Sequence, residues 1–163
     1  MKILLIGSGG REHALAYALK KSDTPVELLC SPGNPGILQL ANKAEVNIEN
    51  NSELVSFCQK NKIDLVVVGP EQPLANGIAD VLRGNSINVF GPSKKAALLE
   101  SSKAFAKEFM NKYGIPTAGY ERFDKENIVN CKRYINALKS FPVVIKADGL
   151  AAGKGVIIAD TKE

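Results

Sequence analysis

The chain's 163 residues suffice for one domain, or for one domain and part of another, since domains commonly run about 100–150 residues. Hydrophobic residues at 45% and charged residues at 23% exclude a disordered chain and provide for an ordinary core. The net charge of +4 comes from scattered residues, so it argues for no nucleic-acid surface; it suits an anionic small molecule and a plain soluble protein equally.

Strand and helix patterns alternate through the first ninety-odd residues. "KILLI" (2–6) is a short apolar strand, and "REHALAYALKK" (11–21) puts Ala14, Leu15, Ala18 and Leu19 at helical spacing. "VELLC" (26–30) is the second strand, followed by the turn cluster "SPGNPG" (31–36). "AEVNI" (44–48) is a weaker strand, and "NSELVSFCQKN" (51–61) is a helix with Asn51 or Ser52 as its cap. "DLVVVG" (64–69) is the strongest strand. "LANGIADVLRG" (74–84) is helical across Gly77, with Leu74, Ile78, Val81 and Leu82 on one face, and "INVFG" (87–91) is the next strand. "KKAALLESSKAFAKEFMNKYG" (94–114) reads as one helix carrying a Phe105, Phe109, Tyr113 stripe. "KENIVNCKRYINALKSF" (125–141) is a second amphipathic helix, with Ile128, Cys131, Ile135 and Leu138 inward. "PVVIKADGLAAGKGVIIAD" (142–160) gives strand, glycine-rich turn and strand.

This order predicts an α/β fold: a parallel sheet with helices on both faces, then a second unit too small to bury much core. The boundary falls at residue 100, giving domains 1–100 and 101–163. The continuous apolar runs at 3–6 and 65–68 suit strands covered on both sides. Such sheets bind ligands beyond the carboxyl ends of their strands. The turns at 7–11, 31–36, 69–73 and 91–95 all follow strands and are the places to look.

"GSGGREHA" (7–14) joins the first strand to the first helix. A dinucleotide fingerprint needs glycine where Glu12 stands and an acidic residue where Ser31 ends the second strand, so a nicotinamide cofactor is disfavoured on two counts. Two readings remain. In one, amides at the helix N-terminus, opened by Gly9 and Gly10 and helped by Arg11, cradle a phosphate. In the other the segment is a plain tight turn. His13 is expected to be a hydrogen-bonded structural residue. "GPEQPL" (69–74) holds Glu71 between two prolines, placed to accept hydrogen bonds from ribose hydroxyls or an amine, or simply solvated. "PGNPG" (32–36) reads as an ordinary double turn.

"KADGLAAGKG" (146–155) is not a Walker A loop, because three residues rather than four separate Gly149 from Gly153 and a strand follows Lys154 and Gly155. It fits a glycine-rich hairpin folding over nucleotide phosphates, with Lys146 and Lys154 supplying cations; a plain mobile hairpin is the alternative.

Cys30, Cys58 and Cys131 form no CxxC pair, and His13 is the single histidine, so no zinc site is expected. Three buried, inert thiols in a reducing compartment are expected. No signal-peptide layout and no apolar run of about 18–20 residues occurs, which points to a cytoplasmic protein without a membrane partner.

Taken together and in this order, "GSGGREHA", "GNPG", "VVGPEQPL", "FGPSKKAALLESSKAFAKEFM", "GIPTA" and "VVIKADGLAAGKGV" closely resemble the glycinamide ribonucleotide synthetase family of the ATP-grasp superfamily. The resemblance covers essentially the whole chain. It implies a Rossmann-like, pre-ATP-grasp N-terminal domain followed by an incomplete ATP-grasp domain. It implies ligation of glycine to phosphoribosylamine with ATP, through a glycyl phosphate, in purine synthesis. Phosphoribosylamine and glycine are then the small-molecule partners. By the same resemblance Gly9, Gly10, Arg11 and Glu71 belong to the sugar-phosphate site. Lys103 and Lys146 look like the two lysines on ATP phosphates, and Gly149, Gly153, Lys154 and Gly155 look like the flap above them.

Family members are much longer, and their magnesium (or manganese) ligands are expected downstream of residue 163. The residues here are therefore expected to form an N-terminal portion with no catalytic residue, no metal ligand and no ligase activity by itself. A non-catalytic phosphosugar-binding module is the alternative reading.

Overall fold

The computed structural model describes residues 1–162. The chain divides into two compact units, Met1–Ala97 and Leu98 onward. In the first unit, β1 (Lys2–Gly7), α1 (Gly10–Lys20), β2 (Glu27–Pro32) and β3 (Asn42–Lys43) are followed by α2 (Asn51–Lys60), β4 (Leu65–Val68), α3 (Glu71–Asn76), α4 (Ile78–Gly84) and β5 (Val89–Phe90). The helix α5 (Lys94–Ser101) contains the division point. The five strands form one parallel sheet in the order β3-β2-β1-β4-β5.

Alternation along the central strands explains why this sheet is covered on both faces. Leu4, Ile6, Leu29, Val66 and Val68 face one side, where Leu54 and Cys58 of α2, Leu74 of α3 and Ile78, Ala79 and Leu82 of α4 pack on them. Ile3, Leu5, Leu28, Cys30 and Val67 face the other, against Ala16 of α1 with Ile37 and Ala41. Residues 3–6 are all buried, as an apolar run without polar alternation requires.

Several boundaries differ from the expectations. The third strand is Asn42–Lys43, not 44–48. Pairing with Leu29 and Cys30 ends there, and the chain leaves the sheet edge. The cap of α2 is Asn50, whose Oδ1 accepts the Glu53 amide at 3.1 Å, one residue before the expected caps. The helix expected over 74–84 is two helices: Gly77, at φ 97°, ends α3 and starts α4. The buried positions Leu74, Ile78 and Leu82 nevertheless stay on one core. On α1, the buried residues are Glu12 and Ala16, with Leu15 and Leu19 half-buried, whereas Ala14 and Ala18 face solvent.

In the second unit, α6 (Lys103–Lys112) and α7 (Ile128–Ala137) accompany an antiparallel hairpin of β6 (Val143–Lys146) and β7 (Val156–Ala159). The expected single helix over 94–114 breaks at Ser102, whose extended backbone lets its Oγ accept the Phe105 amide at 3.1 Å and cap α6. The aromatic stripe holds, with ring centroids 6.3 Å apart for Phe105 and Phe109 and 4.6 Å for Phe109 and Tyr113. α7 is shorter than 125–141. Cys131, Ile135 and Leu138 are only half-buried and Ile128 is exposed, so the expected inward face is not sealed. Cys30 and Cys58 are buried, but Cys131 is not. No helix among the described residues is long and apolar enough to cross a membrane.

Candidate functional site

Two places in the molecule gather the residues singled out in the sequence, one in each unit. In the first unit the strand order reverses direction between β1 and β4, so the connections leaving them diverge and open a crevice at their carboxyl ends. The crevice is about 570 Å³ and is lined by Gly7–Glu12, Pro32, Ile48 and Pro70. Gly9 caps α1, and Gly10 and Arg11 begin it, so the first-turn amides sit at the crevice with the positive end of the helix dipole.

The amides are not all bare. Glu12, the third helical residue, turns back so that its Oε2 accepts the Gly9 amide at 2.6 Å, the half of a capping box that a glycine cap permits. Its side chain is buried, and Oε1 has no hydrogen-bond partner among the described residues. The carboxyl group is wedged between the two loops. A Cβ on Gly7 would fall 2.5 Å from Glu12 Cγ, and one on Gly69 would meet the Glu12 carboxylate. These glycines are there because Glu12 fills the space a side chain would take. Of the amides expected to cradle a phosphate, that of Gly9 is thus already taken by Glu12.

Arg11 Nη2 donates to Glu71 Oε1 at 2.6 Å, joining the segment after β1 to that after β4. Glu71 is not a loop residue between prolines; it opens α3, with Pro70 as the cap and Pro73 in the first turn, where a missing N–H costs nothing. The hydrogen bond from Arg11, aided by Glu71's own amide and opposed by slight burial, holds its carboxyl below the usual range. The segment after β2 joins the same cluster. Asn34 Nδ2 donates to the Ser8 carbonyl at 2.7 Å, its Oδ1 accepts the Ile37 amide at 2.9 Å, and the Gly33 amide donates to Gly7 O at 3.1 Å. "PGNPG" is therefore a tie to the first loop as well as a turn. Ser31 is buried and donates to Val46 O at 3.1 Å, so it faces the protein rather than a ribose. His13 is exposed with no hydrogen bond to its ring among the described residues; its ring lies against Gly36 instead.

A second hollow of about 500 Å³ lies at the opposite ends of the strands, lined by Met1, Cys58, Asp64, Ile87 and Asn88 among others. It holds none of the residues singled out for ligand binding.

In the second unit, the turn between β6 and β7 is the other gathering point. The Ala147 amide donates to Gly155 O at 2.8 Å and the Lys154 amide to Ala151 O at 2.8 Å, and Gly149 and Gly153 take φ of 89° and 78°. Lys103, first residue of α6, donates from Nζ to Gly149 O at 2.7 Å, so the structure brings these two together. Lys146 ends β6 opposite Val156, and the side chains of Lys146 and Lys154 make no hydrogen bond or ion pair among the described residues. Sequence reasoning missed Asp148. Its carboxylate accepts Ser102 Oγ at 3.1 and 3.2 Å and the Ala104 amide at 3.2 Å, sitting on the α6 N-terminus. Burial pushes this carboxyl up, but hydrogen bonds from Ala104, Gly149, Ser102 and Lys103 outweigh it and hold it low. An Asp-Gly after a strand ending in lysine gave no local sign that its partner lay on a helix 44 residues earlier. No group of three or more His, Cys, Asp or Glu side chains among the described residues is arranged to hold a metal ion.

The family model described as phosphoribosylglycinamide synthetase, N domain, matches residues 1–100, and that described as phosphoribosylglycinamide synthetase, ATP-grasp (A) domain, matches residues 101–163. The phosphoribosylamine–glycine ligase of Mesorhizobium japonicum is 52% identical over 163 residues, which is 100% of this chain and 38% of that protein. A crystal structure of phosphoribosylamine–glycine ligase from Thermotoga maritima superposes with a TM-score of 0.74 at 37% identity, over 99% of this chain and 37% of that one. The biotin carboxylase domain of a 2-oxoglutarate carboxylase from Hydrogenobacter thermophilus, solved with MgADP and bicarbonate, superposes with a TM-score of 0.73 at 20% identity, over 99% of this chain and 38% of that one, a likeness of fold alone. The chain thus spans 38% of the length of that Mesorhizobium relative.

Proposed function

The chain belongs to the phosphoribosylglycinamide synthetase family, and from that premise we propose that it serves the ATP-dependent ligation of glycine to phosphoribosylamine in cytoplasmic purine synthesis. The activity belongs to the full length its relatives have. Residues 1–100 supply part of the phosphoribosylamine site, and residues 101–163 supply groups that meet the phosphates of ATP.

In this reading the glycine carboxylate attacks the γ-phosphorus of ATP, ADP leaves, and a glycyl phosphate forms. The amine nitrogen of phosphoribosylamine then attacks the activated carbonyl, phosphate leaves, and the amide bond is made. Gly10 and Arg11, with the dipole of α1 behind them, hold the sugar phosphate; Gly9 lends its small size, since Glu12 occupies its amide. Glu71 accepts ribose hydroxyls. Lys103 and Lys146 offset charge on the ATP phosphates, and Gly149, Gly153, Lys154 and Gly155 cover them and exclude water from the acyl phosphate. Magnesium or manganese accompanies ATP in this proposal.

The observation that carries the proposal is the crevice at the carboxyl ends of β1 and β4, lined by Gly7–Glu12 and Pro70, whose lining residue Arg11 is bonded to Glu71. Calorimetric titration tests it. Ribose 5-phosphate is expected to bind the chain and NAD is not. In parallel, Lys146→Ala is expected to weaken ADP binding. NAD binding in place of ribose 5-phosphate would overturn the substrate assignment. Unchanged ADP affinity would remove Lys146 from the nucleotide site.

A further inference from the structure

Residues 102–104 and 148–149 hold each other in both directions. Going one way, the Asp148 carboxylate accepts Ser102 Oγ at 3.1 and 3.2 Å and the Ala104 amide at 3.2 Å. Going the other, Lys103 Nζ donates to Gly149 O at 2.7 Å. Ser102 Oγ also accepts the Phe105 amide at 3.1 Å, so one hydroxyl both caps α6 and donates to Asp148. Among the described residues, the hydrogen bonds that tie residues 147–155 to another element all end on Ser102, Lys103 or Ala104. The rest of the turn bonds within itself, and a Cβ on Gly149 or Gly153 would meet nothing within 4 Å. The root of the turn is therefore fixed on α6, and its tip is held by local bonds alone.

Each charge in this clasp is met by a neutral group. The Asp148 carboxylate is met by a hydroxyl and by an amide at the positive end of the α6 dipole. The Lys103 ammonium is met by a carbonyl, and the two residues form no ion pair with each other. An ammonium has three N–H donors, so two stay available together with the full positive charge. We propose that Asp148 is a positioning residue: it fixes the root of the glycine-rich turn on the first turn of α6 and thereby holds the Lys103 ammonium against Gly149 O with its charge unspent. Asp148 touches no phosphate itself and acts through Lys103. Were the two side chains paired instead, the carboxylate would offset the charge that an anionic ligand needs. This role rests on the reading of Lys103 as a cation for the phosphates of ATP, a reading that leaves Asp148 without a task.

Amide hydrogen exchange and calorimetric titration with ADP test this role, on the unaltered chain, on Asp148→Ala, Asp148→Asn and Lys103→Met, and on each Asp148 variant combined with Lys103→Met. Without ADP, Asp148→Ala is expected to speed exchange at residues 103–105 and 149–155 together and to leave the sheet of the first unit unchanged. It is expected to weaken ADP binding about three- to ten-fold, and Asp148→Asn, which keeps an acceptor oxygen for Ser102, by less. In the Lys103→Met background neither Asp148 variant is expected to weaken ADP binding further, because the effect passes through the missing ammonium. Asp148→Asn carries the same comparison should alanine unfold the second unit. Equal weakening in both backgrounds would show the carboxylate acting by a route other than Lys103 and overturn the proposal. Faster exchange at 103–105 with 149–155 unchanged would overturn it as well, since the clasp would not be fixing the turn. So would unchanged ADP affinity in both Asp148 variants while Lys103→Met binds more weakly, an outcome that leaves the nucleotide site standing. If the unaltered chain binds no ADP, or binds it equally after Lys103→Met, the nucleotide reading of Lys103 falls and the role of Asp148 falls with it.

Discussion

The two units of this chain are built on opposite terms. Every buried hydrophobic residue among those described lies at or before Ala97. From Leu98 onward the apolar residues are abundant but open: Val144, Ile145, Val156, Ile157 and Ile158 of the hairpin are 48–64% exposed, and Ile128 and Val129 of α7 are 54% and 62%. The first unit's five-stranded sheet has a helical layer on each side, so consecutive residues of one strand all find cover. Among its described residues the second has a two-stranded hairpin beside α6 and α7, and two strands offer few partners to bury either face. The lesson concerns how the candidate sites are held. The crevice of the first unit rests on a packed platform, whereas the turn of the second is fixed by polar contacts of Asp148, Ser102 and Lys103.

The sharpest way to break this contrast is to cut into each unit equally. Leu4→Ala, at a fully buried position of β1, is expected to lower the stability of the first unit by about 2–5 kcal/mol. Ile157→Ala, at a position 64% exposed, is expected to change stability by about 0.5 kcal/mol or less. Denaturant unfolding of both variants checks this, and similar losses would erase the distinction.

Alkali is the next largest lever on the first unit. Burial pushes the Cys58 thiol up to about 11. A raised thiol stabilises the fold fully below its ordinary value and loses that contribution as pH rises through the folded value. The first unit is expected to lose roughly 2–3 kcal/mol between about pH 9 and 11 through this group. Cys58→Ala should flatten that part of the stability profile measured by chemical denaturation.

Within the crevice, Gly69→Ala is expected to cost about 1–3 kcal/mol, because its new methyl group would meet the Glu12 carboxylate. Glu12→Ala should relieve most of that cost in the double variant, and simple additivity in thermal melts would show that the wedge is not the cause.

A further, local effect is expected at the cap of α6 in the second unit. Ser102→Ala removes the α6 cap and one Asp148 partner, an expected local loss of about 0.5–2 kcal/mol. It should appear as faster amide exchange over residues 103–106 while the first unit's exchange is unchanged. Acid should act likewise. The lowered Asp148 carboxyl contributes above the ordinary aspartate range and loses that contribution as pH falls through its folded value.

Much of this was legible in the sequence because periodicity reports burial on both faces of a strand: "LLI" and "VVV" mark the sheet's centre without any knowledge of the partners. The helix breaks were harder. Gly77 sits in an unbroken apolar stripe, so the pattern continues across the change of direction, and Ser102 reads as an ordinary helix residue until its side chain is seen on the Phe105 amide. The loops carrying the candidate sites were visible from their glycines. Their internal acceptors were not. Glu12 entered only as the residue that spoils a dinucleotide fingerprint, although its spacing from Gly9 is that of a capping box. Asp148 and Asn34 act through contacts 44 and 26 residues away, which no local pattern encodes.

The most direct measurement is heteronuclear NMR of the chain during titration with ribose 5-phosphate. Saturable shifts are predicted at the amides of Gly10, Arg11 and Glu71, and the hollow around Met1 and Asn88 should stay silent. Shifts confined to that opposite end, or none at all at millimolar ligand, would contradict the assignment of the β1/β4 crevice as the sugar-phosphate site.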